Sequence, residues 1–273
     1  MKHWRKNGKT CVLDIINPDI TIQDKSLKHV TLAIEDSLKR HIDALLQIGI
    51  IRPSKSRHRT IAMLVKSGTT VYPKKGNEIK AKEWMIFNYR TLNDNTFKDQ
   101  YSLPGINTLL KRIGNAKVYS KLDLKSAFHQ VAMDEASIPR AAFFLLGGLY
   151  ERLVIPIGLK YAPTIFQRKM DRCFRGTESL IAVYIDDIRA FSENEEHKEH
   201  LLRMVKICED IGLVLSPTKM KIVVPEIEFL GATTGNHKMK LQPNIIKRVV
   251  DFDVEKVKTK VGLRSFLGIL NYA

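Results

Sequence analysis

Residues Ala182 to Ile188 read AVYIDDI, so two adjacent carboxylates are enclosed by apolar residues. The apolar run from Leu180 to Ile185 is typical of a buried strand, and an Asp-Asp pair between two short strands is typical of a tight hairpin turn. Two carboxylates at the tip of a buried hairpin repel each other unless a positive charge lies between them. A bound divalent metal is therefore one interpretation of the pair. The other is that aspartate is simply a common turn residue.

Composition favours a polyanionic partner. The chain has 273 residues, with 45 Lys and Arg against 29 Asp and Glu, a formal net charge of +16. This excess favours nucleic acid first and an anionic membrane surface second. The cations cluster in two polar stretches, 52–59 and 74–82, as suits contact with a phosphate backbone.

The sequence predicts a cytoplasmic protein. No apolar run approaches the roughly 20 residues that span a bilayer, and the basic N-terminus is not followed by the apolar segment of a signal peptide. The three cysteines, Cys11, Cys173 and Cys208, are odd in number and far apart. They fit neither a disulfide framework nor a zinc site, which indicates a reducing compartment.

The order of apolar patterns predicts an α+β fold with a mostly antiparallel sheet backed by helices. Residues 61–65 and 83–87 are predicted strands. Their connection, 66–82, is a cationic hairpin tip that either closes over an anionic ligand or is a solvated loop. Gly147-Gly148 predicts another hairpin. Further helices are predicted near 34–49, 106–113, 125–130, 163–176, 195–212 and 263–270, and further strands near 118–124, 213–215, 222–224, 227–230 and 239–241.

Ser192 to Glu195 predict a capping box that opens the helix ending at Gly212. His197 and His200 lie on this helix among glutamates. Their spacing could bind a metal, but no third ligand is near in sequence, and a solvated helix face is favoured.

Asp123 provides a third carboxylate. Like the pair Asp186 and Asp187, it comes at the end of an apolar strand. If the strands are neighbours, the three side chains converge at one edge of the sheet as a site for Mg²⁺ or Mn²⁺. Two such ions about 3.5–4 Å apart can activate an attacking hydroxyl and stabilise a leaving pyrophosphate. The residues therefore predict two-metal nucleotidyl transfer, with surrounding cations holding a triphosphate and a template.

Several motifs resemble those of reverse transcriptases. Tyr184-Ile185-Asp186-Asp187 is similar to their catalytic box, and residues 121–128 (KLDLKSAF) resemble their first aspartate motif. Residues 156–167 resemble the segment that contacts the incoming nucleotide and the template. Residues 215–219 resemble the lysine motif, and Phe229-Leu230-Gly231 resembles the primer grip. Residues 52–59, 92–96 and 266–273 resemble most closely the polyproteins of plant pararetroviruses (caulimovirids), of badnavirus-like and tungro-like type.

The resemblance implies a right-hand polymerase with fingers, palm and a partial thumb. The implied divisions are an N-terminal arm (1–30), fingers (31–117 and 136–165), palm (118–135 and 166–235), and a connection with the truncated start of a thumb (236–273). It implies an RNA- or DNA-templated DNA polymerase that uses deoxynucleoside triphosphates and two Mg²⁺ or Mn²⁺ ions. Protease and RNase H domains would neighbour it in a parent polyprotein, and its setting would be a virus-like particle in a plant cell.

The resemblance also implies roles for individual residues. Asp123 and Asp186 would be the principal metal ligands, with Asp187 beside them and the carbonyl of Leu124 as a further ligand. Lys219 would donate a proton to pyrophosphate, and Phe128 would exclude a ribose 2′-hydroxyl. The remaining residues implied to contact the substrate are Lys66, Lys82, Trp84, Ile157, Gln167 and Tyr184.

The sequence departs from the family pattern at several positions. The family has an arginine that grips the α-phosphate at position 84, and a phenylalanine at position 157. The family has leucine where this chain has Arg189, and tryptophan where it has Arg152 and, less clearly, Arg140. Ala127 stands where the family commonly has glycine. These changes suggest a decayed copy such as an endogenous viral sequence. Two alternatives stay open, a catalytically impaired relic that binds nucleic acid and a Ty3-type retrotransposon polymerase.

Overall fold

A computed structural model describes residues 10–25, 31–67, 82–193, 195–235 and 237–270 of the chain. The chain forms two compact units. The first consists of Met1–Tyr101 and Ser126–Phe166, and the second of Ser102–Lys125 and Gln167–Ala273.

The first unit is built on a five-stranded sheet with the order β1-β6-β5-β2-β3. Neighbouring strands are antiparallel except β2 and β5, which are parallel. The predicted hairpin at Gly147-Gly148 is confirmed: Leu145 pairs with Gly148. The strands and helices are β1 (Ile51–Pro53), β2 (Thr60–Ser67), β3 (Lys82–Phe87), β5 (Phe143–Leu145), β6 (Gly148–Arg152), α1 (Leu32–Gln47) and α2 (Arg90–Asp94).

The second unit holds a four-stranded antiparallel sheet with the order β7-β8-β4-β9 and a three-stranded antiparallel sheet with the order β10-β11-β12. Its strands are β4 (Val118–Asp123), β7 (Ile181–Tyr184), β8 (Asp187–Ser192), β9 (Lys221–Val224), β10 (Glu226–Phe229), β11 (Ala232–Gly235) and β12 (Lys238–Leu241). Its helices are α3 (Ile106–Ile113), α5 (His197–Asp210), α6 (Pro243–Val250) and α7 (Lys260–Leu270), and α4 covers Ala162–Cys173.

Successive side chains of a strand point to opposite faces of the sheet. On one face, Tyr119 of β4 and Phe191 of β8 join an apolar core with α3 and with Phe229 of β10. This packing buries both aromatic residues of the central strands. The apolar core therefore packs against the face of the β4–β8 pair that also carries Asp123 and Asp187.

Three local predictions need correction. The segment after Lys125 forms only a 3₁₀ turn, Ala127–Gln130, because Val131 is already extended. The capping box at Ser192 does not form in the described residues: α5 starts at His197, and the Ser192 hydroxyl contacts the imidazoles of His197 and His200 at 2.9 and 2.7 Å. His197 is buried rather than on a solvated face.

The predicted cationic tip falls mainly on residues 68–81, which lie outside the described residues. Across the ranges given above, no helix has the length and apolar character needed to span a membrane.

Candidate active site

The Asp186-Asp187 hairpin is a tight turn between β7 and β8. Tyr184 pairs with Asp187, and Ile185 adopts a left-handed backbone with φ 55°. Gln167, on α4, holds this turn: its Oε1 accepts a hydrogen bond from the Ile185 N–H at 2.5 Å, and its Nε2 donates to the Val183 carbonyl at 3.2 Å. Because a β-branched residue disfavours positive φ, this clamp stabilises a strained turn.

The substrate contact implied for Gln167 stays a prediction. Its side chain is completely buried, and its Nε2 also donates to Asp171 Oδ1 at 2.7 Å. All three of these hydrogen bonds of the Gln167 amide are made within the second unit. The structure makes Gln167 a residue that positions the hairpin.

Asp123 and Asp187 are directly opposite each other in the β4–β8 ladder. The register of the two antiparallel strands thus brings together two of the three carboxylates that were predicted to converge. The chain after Asp123 is held by residues 214–216: the Ser216 N–H donates to the Asp123 carbonyl at 2.8 Å, and the Lys125 N–H donates to the Val214 carbonyl at 2.9 Å. In an antiparallel bridge of this kind the residue between the two bonds, Leu124, directs its own carbonyl away from the partner segment.

Three cations surround the carboxylates. Lys121 Nζ lies 3.6 Å from Asp123 Oδ2 and 3.5 Å from Asp187 Oδ1. Lys219 Nζ, on the exposed 3₁₀ turn Pro217–Lys219, lies 3.4 Å from Asp123 Oδ1. The buried Arg189 contacts both oxygens of Asp187, with Nη1–Oδ1 at 2.6 Å and Nη2–Oδ2 at 2.8 Å.

Asp186 occupies the exposed tip of the turn. Its pKa is raised above the ordinary value, chiefly because the surrounding protein displaces water, and further because the charges of Asp187 and Asp123 repel its own. The nearby ammonium of Lys121 acts in the opposite direction. A cation that binds here would relieve the repulsion among the three carboxylates.

The Phe229-Leu230-Gly231 segment belongs to the β10–β11 hairpin. Phe229 pairs with Ala232, and the two residues between them have positive φ, 48° and 86°. Two positive φ values characterise a type I′ turn, which glycine favours. Phe229 is buried, whereas Leu230 and Tyr184 are partly buried against the same core.

The other predicted substrate residues lie in the first unit. Phe128 is half-buried and packs edge-on against Phe166, with ring centroids 5.6 Å apart. Trp84 on β3 and Ile157 are exposed. Lys66 and Lys82 lie near the ends of paired strands, where Lys66 is opposite Glu83, but their side chains lie outside the described part of the chain.

The comparison with known proteins identifies the family. The family model for "Reverse transcriptase (RNA-dependent DNA polymerase)" matches residues 72–234, which is more than half of the chain. The chain belongs to the reverse transcriptase family.

The curated relatives are viral polyproteins. The chain is 57% identical over its whole length to Polyprotein P3 of Commelina yellow mottle virus, of which it covers 14%. It is 36% identical, again over its whole length, to the Enzymatic polyprotein of cauliflower mosaic virus (strain CM-1841), of which it covers 38%. The resemblance to plant pararetroviral polyproteins is confirmed, and the chain spans well under half the length of these relatives.

Solved structures confirm the polymerase fold. The foamy viral protease-reverse transcriptase dRH in complex with ds DNA superimposes with a TM-score of 0.78 at 21% identity, covering all of this chain and 48% of that one. The foamy viral protease-reverse transcriptase in complex with RNA/DNA hybrid gives a TM-score of 0.74 at 21% identity, covering 96% of this chain and 34% of that one. At this identity the likeness shows the fold alone.

The carboxylates of this reverse transcriptase fit a divalent cation in part. Asp123 Oδ1 is buried without a hydrogen-bond donor and has only the Lys219 ammonium at 3.4 Å. Asp186 lies at the open turn, and carboxylate oxygens suit Mg²⁺ or Mn²⁺. Both oxygens of Asp187 are engaged by Arg189. Accordingly, the described residues contain no group of three His, Cys, Asp or Glu side chains arranged to hold one metal ion.

Sequence reasoning missed the role of Lys121 and treated Arg189 only as a costly charge. Both lie two residues from a carboxylate on the same strand, so strand alternation places each on the face of that carboxylate. Lys121 and Arg189 are also directly opposite each other in the ladder. The spacing in sequence was the signal that could have identified them.

Arg152 differs from Arg189 in having no acidic partner. It is buried on β6, donates to His129 Nε2 at 3.0 Å, and lies over the Phe87 ring at 5.2 Å from its centroid. Its Nε has no hydrogen-bond partner, and no described carboxylate lies within ion-pair distance of it. Burial lowers the pKa of His129 to about 4, with a further contribution from the charge of Arg152.

Proposed function

We propose that the chain is the RNA- and DNA-directed DNA polymerase domain of a plant pararetroviral polyprotein. It would transfer a nucleotide from a deoxynucleoside triphosphate to a primer 3′-hydroxyl. Membership of the reverse transcriptase family supports the reaction class. The observation that carries the proposal is the register that sets Asp123 opposite Asp187, with Asp186 at the adjoining turn.

In this proposal Asp123 and Asp186 hold the divalent ions, with the carbonyl of Leu124 as a further ligand. Bound Mg²⁺ or Mn²⁺ would supply activation of the primer hydroxyl and neutralisation of the departing pyrophosphate. Lys219, exposed and 3.4 Å from Asp123, is suited to give a proton to pyrophosphate. The ammonium of Lys121 offsets the repulsion between Asp123 and Asp187.

Recognition of the nucleotide and template is assigned to the residues that the family resemblance implies. Phe128 would exclude a 2′-hydroxyl, and Tyr184 and Phe229-Leu230-Gly231 would contact nucleotide and primer. Lys66, Lys82, Trp84 and Ile157 would contribute to binding of the triphosphate and sugar. The net charge of +16 supports a nucleic-acid partner because counterion release favours binding of cationic proteins to phosphate backbones.

The wider setting is also proposed. The fingers would comprise residues 31–117 and 136–165, and the palm 118–135 and 166–235. Protease and RNase H domains would flank this segment, in keeping with the polyprotein relatives of which it covers 14% and 38%. The protein would act in the cytoplasm of a plant cell.

Primer extension with Mg²⁺ and with Mn²⁺ tests the proposal. The chain as written should extend a DNA primer on RNA and DNA templates. Asp186→Asn should abolish incorporation while binding of the template-primer is kept. The matched control is Asp210→Asn, which removes an exposed carboxylate of α5 paired with Lys206 and should leave incorporation unchanged.

Two results would change the proposal. Binding of template-primer without any incorporation would identify an impaired relic of the domain. Equal incorporation by the chain and by Asp186→Asn would refute the assignment of the site. If position 84 has lost its grip on the α-phosphate, Trp84→Arg should raise incorporation, because a charge-assisted hydrogen bond adds roughly 1.5–3 kcal/mol.

A further inference from the structure

Arg189 stands out in the second unit because it is a buried cation in contact with a candidate metal ligand. Only 1% of its surface is exposed. We propose that Arg189 is a positioning residue that binds Asp187 as an internal counter-ion, withdraws it from the metal site, and ties the catalytic hairpin to β10. The metal ligands of this chain would then come from Asp123 and Asp186. This inference rests on the proposed metal site.

The first step of the argument is the geometry of the pair. The two Nη atoms of Arg189 approach the two oxygens of Asp187 at 2.6 and 2.8 Å. A planar guanidinium that meets both oxygens of a carboxylate in this way forms the strongest kind of side-chain ion pair. The pair occupies one lone pair of each Asp187 oxygen and fixes the orientation of the carboxylate toward Arg189.

The second step is that the guanidinium also binds backbone carbonyls and an aromatic ring of the second unit. Its Nη2 donates to the Glu228 carbonyl at 3.1 Å, and its Nη1 to the Ile188 carbonyl at 3.3 Å. Its central carbon lies 5.1 Å from the centroid of the Phe229 ring, a cation–π distance. Arg189 is thereby fixed to β10, next to the predicted primer-grip segment, and Asp187 is fixed through it.

The third step concerns charge. Asp123, Asp186 and Asp187 carry three negative charges, and Arg189 permanently neutralises one because arginine stays protonated in proteins. Lys121 and Lys219 make longer contacts to Asp123, at 3.6 and 3.4 Å, and Lys121 also lies 3.5 Å from Asp187. A divalent ion can displace the ammonium groups of these more exposed lysines, whereas the buried guanidinium of Arg189 stays in place.

Binding of Mn²⁺ to the complete chain tests the proposal without any catalytic step. Free Mn²⁺ is measured by electron paramagnetic resonance in the absence of primer and nucleotide. Arg189→Leu frees Asp187 and should lower the Kd for Mn²⁺ about tenfold, since it removes a positive charge beside the site. The control Lys206→Leu removes a positive charge on the exposed face of α5 and should leave the Kd unchanged.

The double variant Asp187→Asn/Arg189→Leu gives the decisive comparison. It removes both members of the pair, so the local charge is unchanged and no buried charge is left unpaired. If Arg189 withholds Asp187 from the metal, its Kd stays within about threefold of that of the unaltered chain. A Kd raised about tenfold or more by the double variant, or an unchanged Kd in Arg189→Leu, overturns the proposal. If Arg189→Leu does not fold, the double variant decides alone.

Asp186→Asn separates this inference from the proposed function. If it does not weaken Mn²⁺ binding, the proposed metal site itself fails. If it weakens binding and the double variant weakens binding equally, the metal site stands, Asp187 is one of its ligands, and only the role given to Arg189 fails.

Discussion

Replacing Arg152 with methionine should stabilise the protein. Arg152 is 2% exposed, its Nε has no hydrogen-bond partner, and its closest polar contact is the neutral imidazole of His129. Burying an ion costs several kcal/mol after relaxation of the protein, and only a well-placed opposite charge offsets that cost. Methionine has a similar length, no charge and flexible packing.

The magnitude follows from what the substitution gains and loses. It removes a desolvation cost of about 4 kcal/mol. It loses one hydrogen bond to His129, about 1 kcal/mol, and the contact with the Phe87 ring, about 1 kcal/mol. The free energy of unfolding should therefore rise by about 2 kcal/mol. For a chain of this size that corresponds to a melting temperature higher by about 3–4 °C.

Urea denaturation and thermal unfolding measure the effect. Arg40→Met is the control, because Arg40 is exposed on α1 and its one contact among the described residues is a long hydrogen bond to the Asp36 carbonyl, 3.4 Å. Its free energy of unfolding should change by less than about 0.5 kcal/mol. A melting temperature lowered by Arg152→Met would refute the reasoning, since it would mean that the buried guanidinium stabilises the fold.

Two other outcomes are expected. The pKa of His129 is about 4 in the folded chain, below its ordinary value, so the unfolded chain takes up the proton first as pH falls. The free energy of unfolding of the unaltered chain should thus decrease as the pH falls from 6.5 to 4. The decrease should be about 2 kcal/mol larger than in His129→Gln. Equal pH profiles of the two proteins would contradict this. Gly262→Ala should destabilise α7, because the added Cβ would overlap the Lys256 carbonyl. Gly268→Ala lies on the same helix, and its added Cβ would have no atom of the described chain within 4 Å, so this variant should be more stable by about 1 kcal/mol. Thermal unfolding of the two alanine variants tests this, and a shift of the same sign in both would refute the overlap.

Local elements were predictable because their signals lie close together in sequence. The strands at 61–65 and 83–87, the hairpin at Gly147-Gly148 and the helix at 106–113 all occur, since apolar periodicity and glycine turns act over a few residues. Strand β11 was missed. It reads ATTG between two turns and is held by pairing with β10 and β12 rather than by a pattern of its own.

Contacts between distant residues set the limit of sequence reasoning. The capping box at Ser192 has the right residue types, but the hydroxyl instead joins a buried network in which His197 also contacts Ser120 Oγ of β4 at 2.8 Å. The hydrogen bonds of Gln167 to the β7–β8 turn were likewise not predictable from its motif. Its amide meets the β7–β8 turn only because α4 packs beneath that turn.

Strand alternation explains why two buried arginines at altered positions have opposite expected consequences. Residues two apart on a strand share a face, and the neighbours of Arg189 at this spacing are Asp187 and Phe191, so a carboxylate was already in place for the guanidinium. The neighbours of Arg152 at the same spacing are Tyr150 and Val154, and its partner across the ladder is Ile51. An arginine can therefore be accepted beside the Asp186-Asp187 turn at little cost to folding. In the first unit, where no described carboxylate pairs with it, an arginine carries the cost of a buried, unpaired charge. The same carboxylate that offsets the charge of Arg189 is the one that, in our proposal, Arg189 withdraws from the proposed metal site.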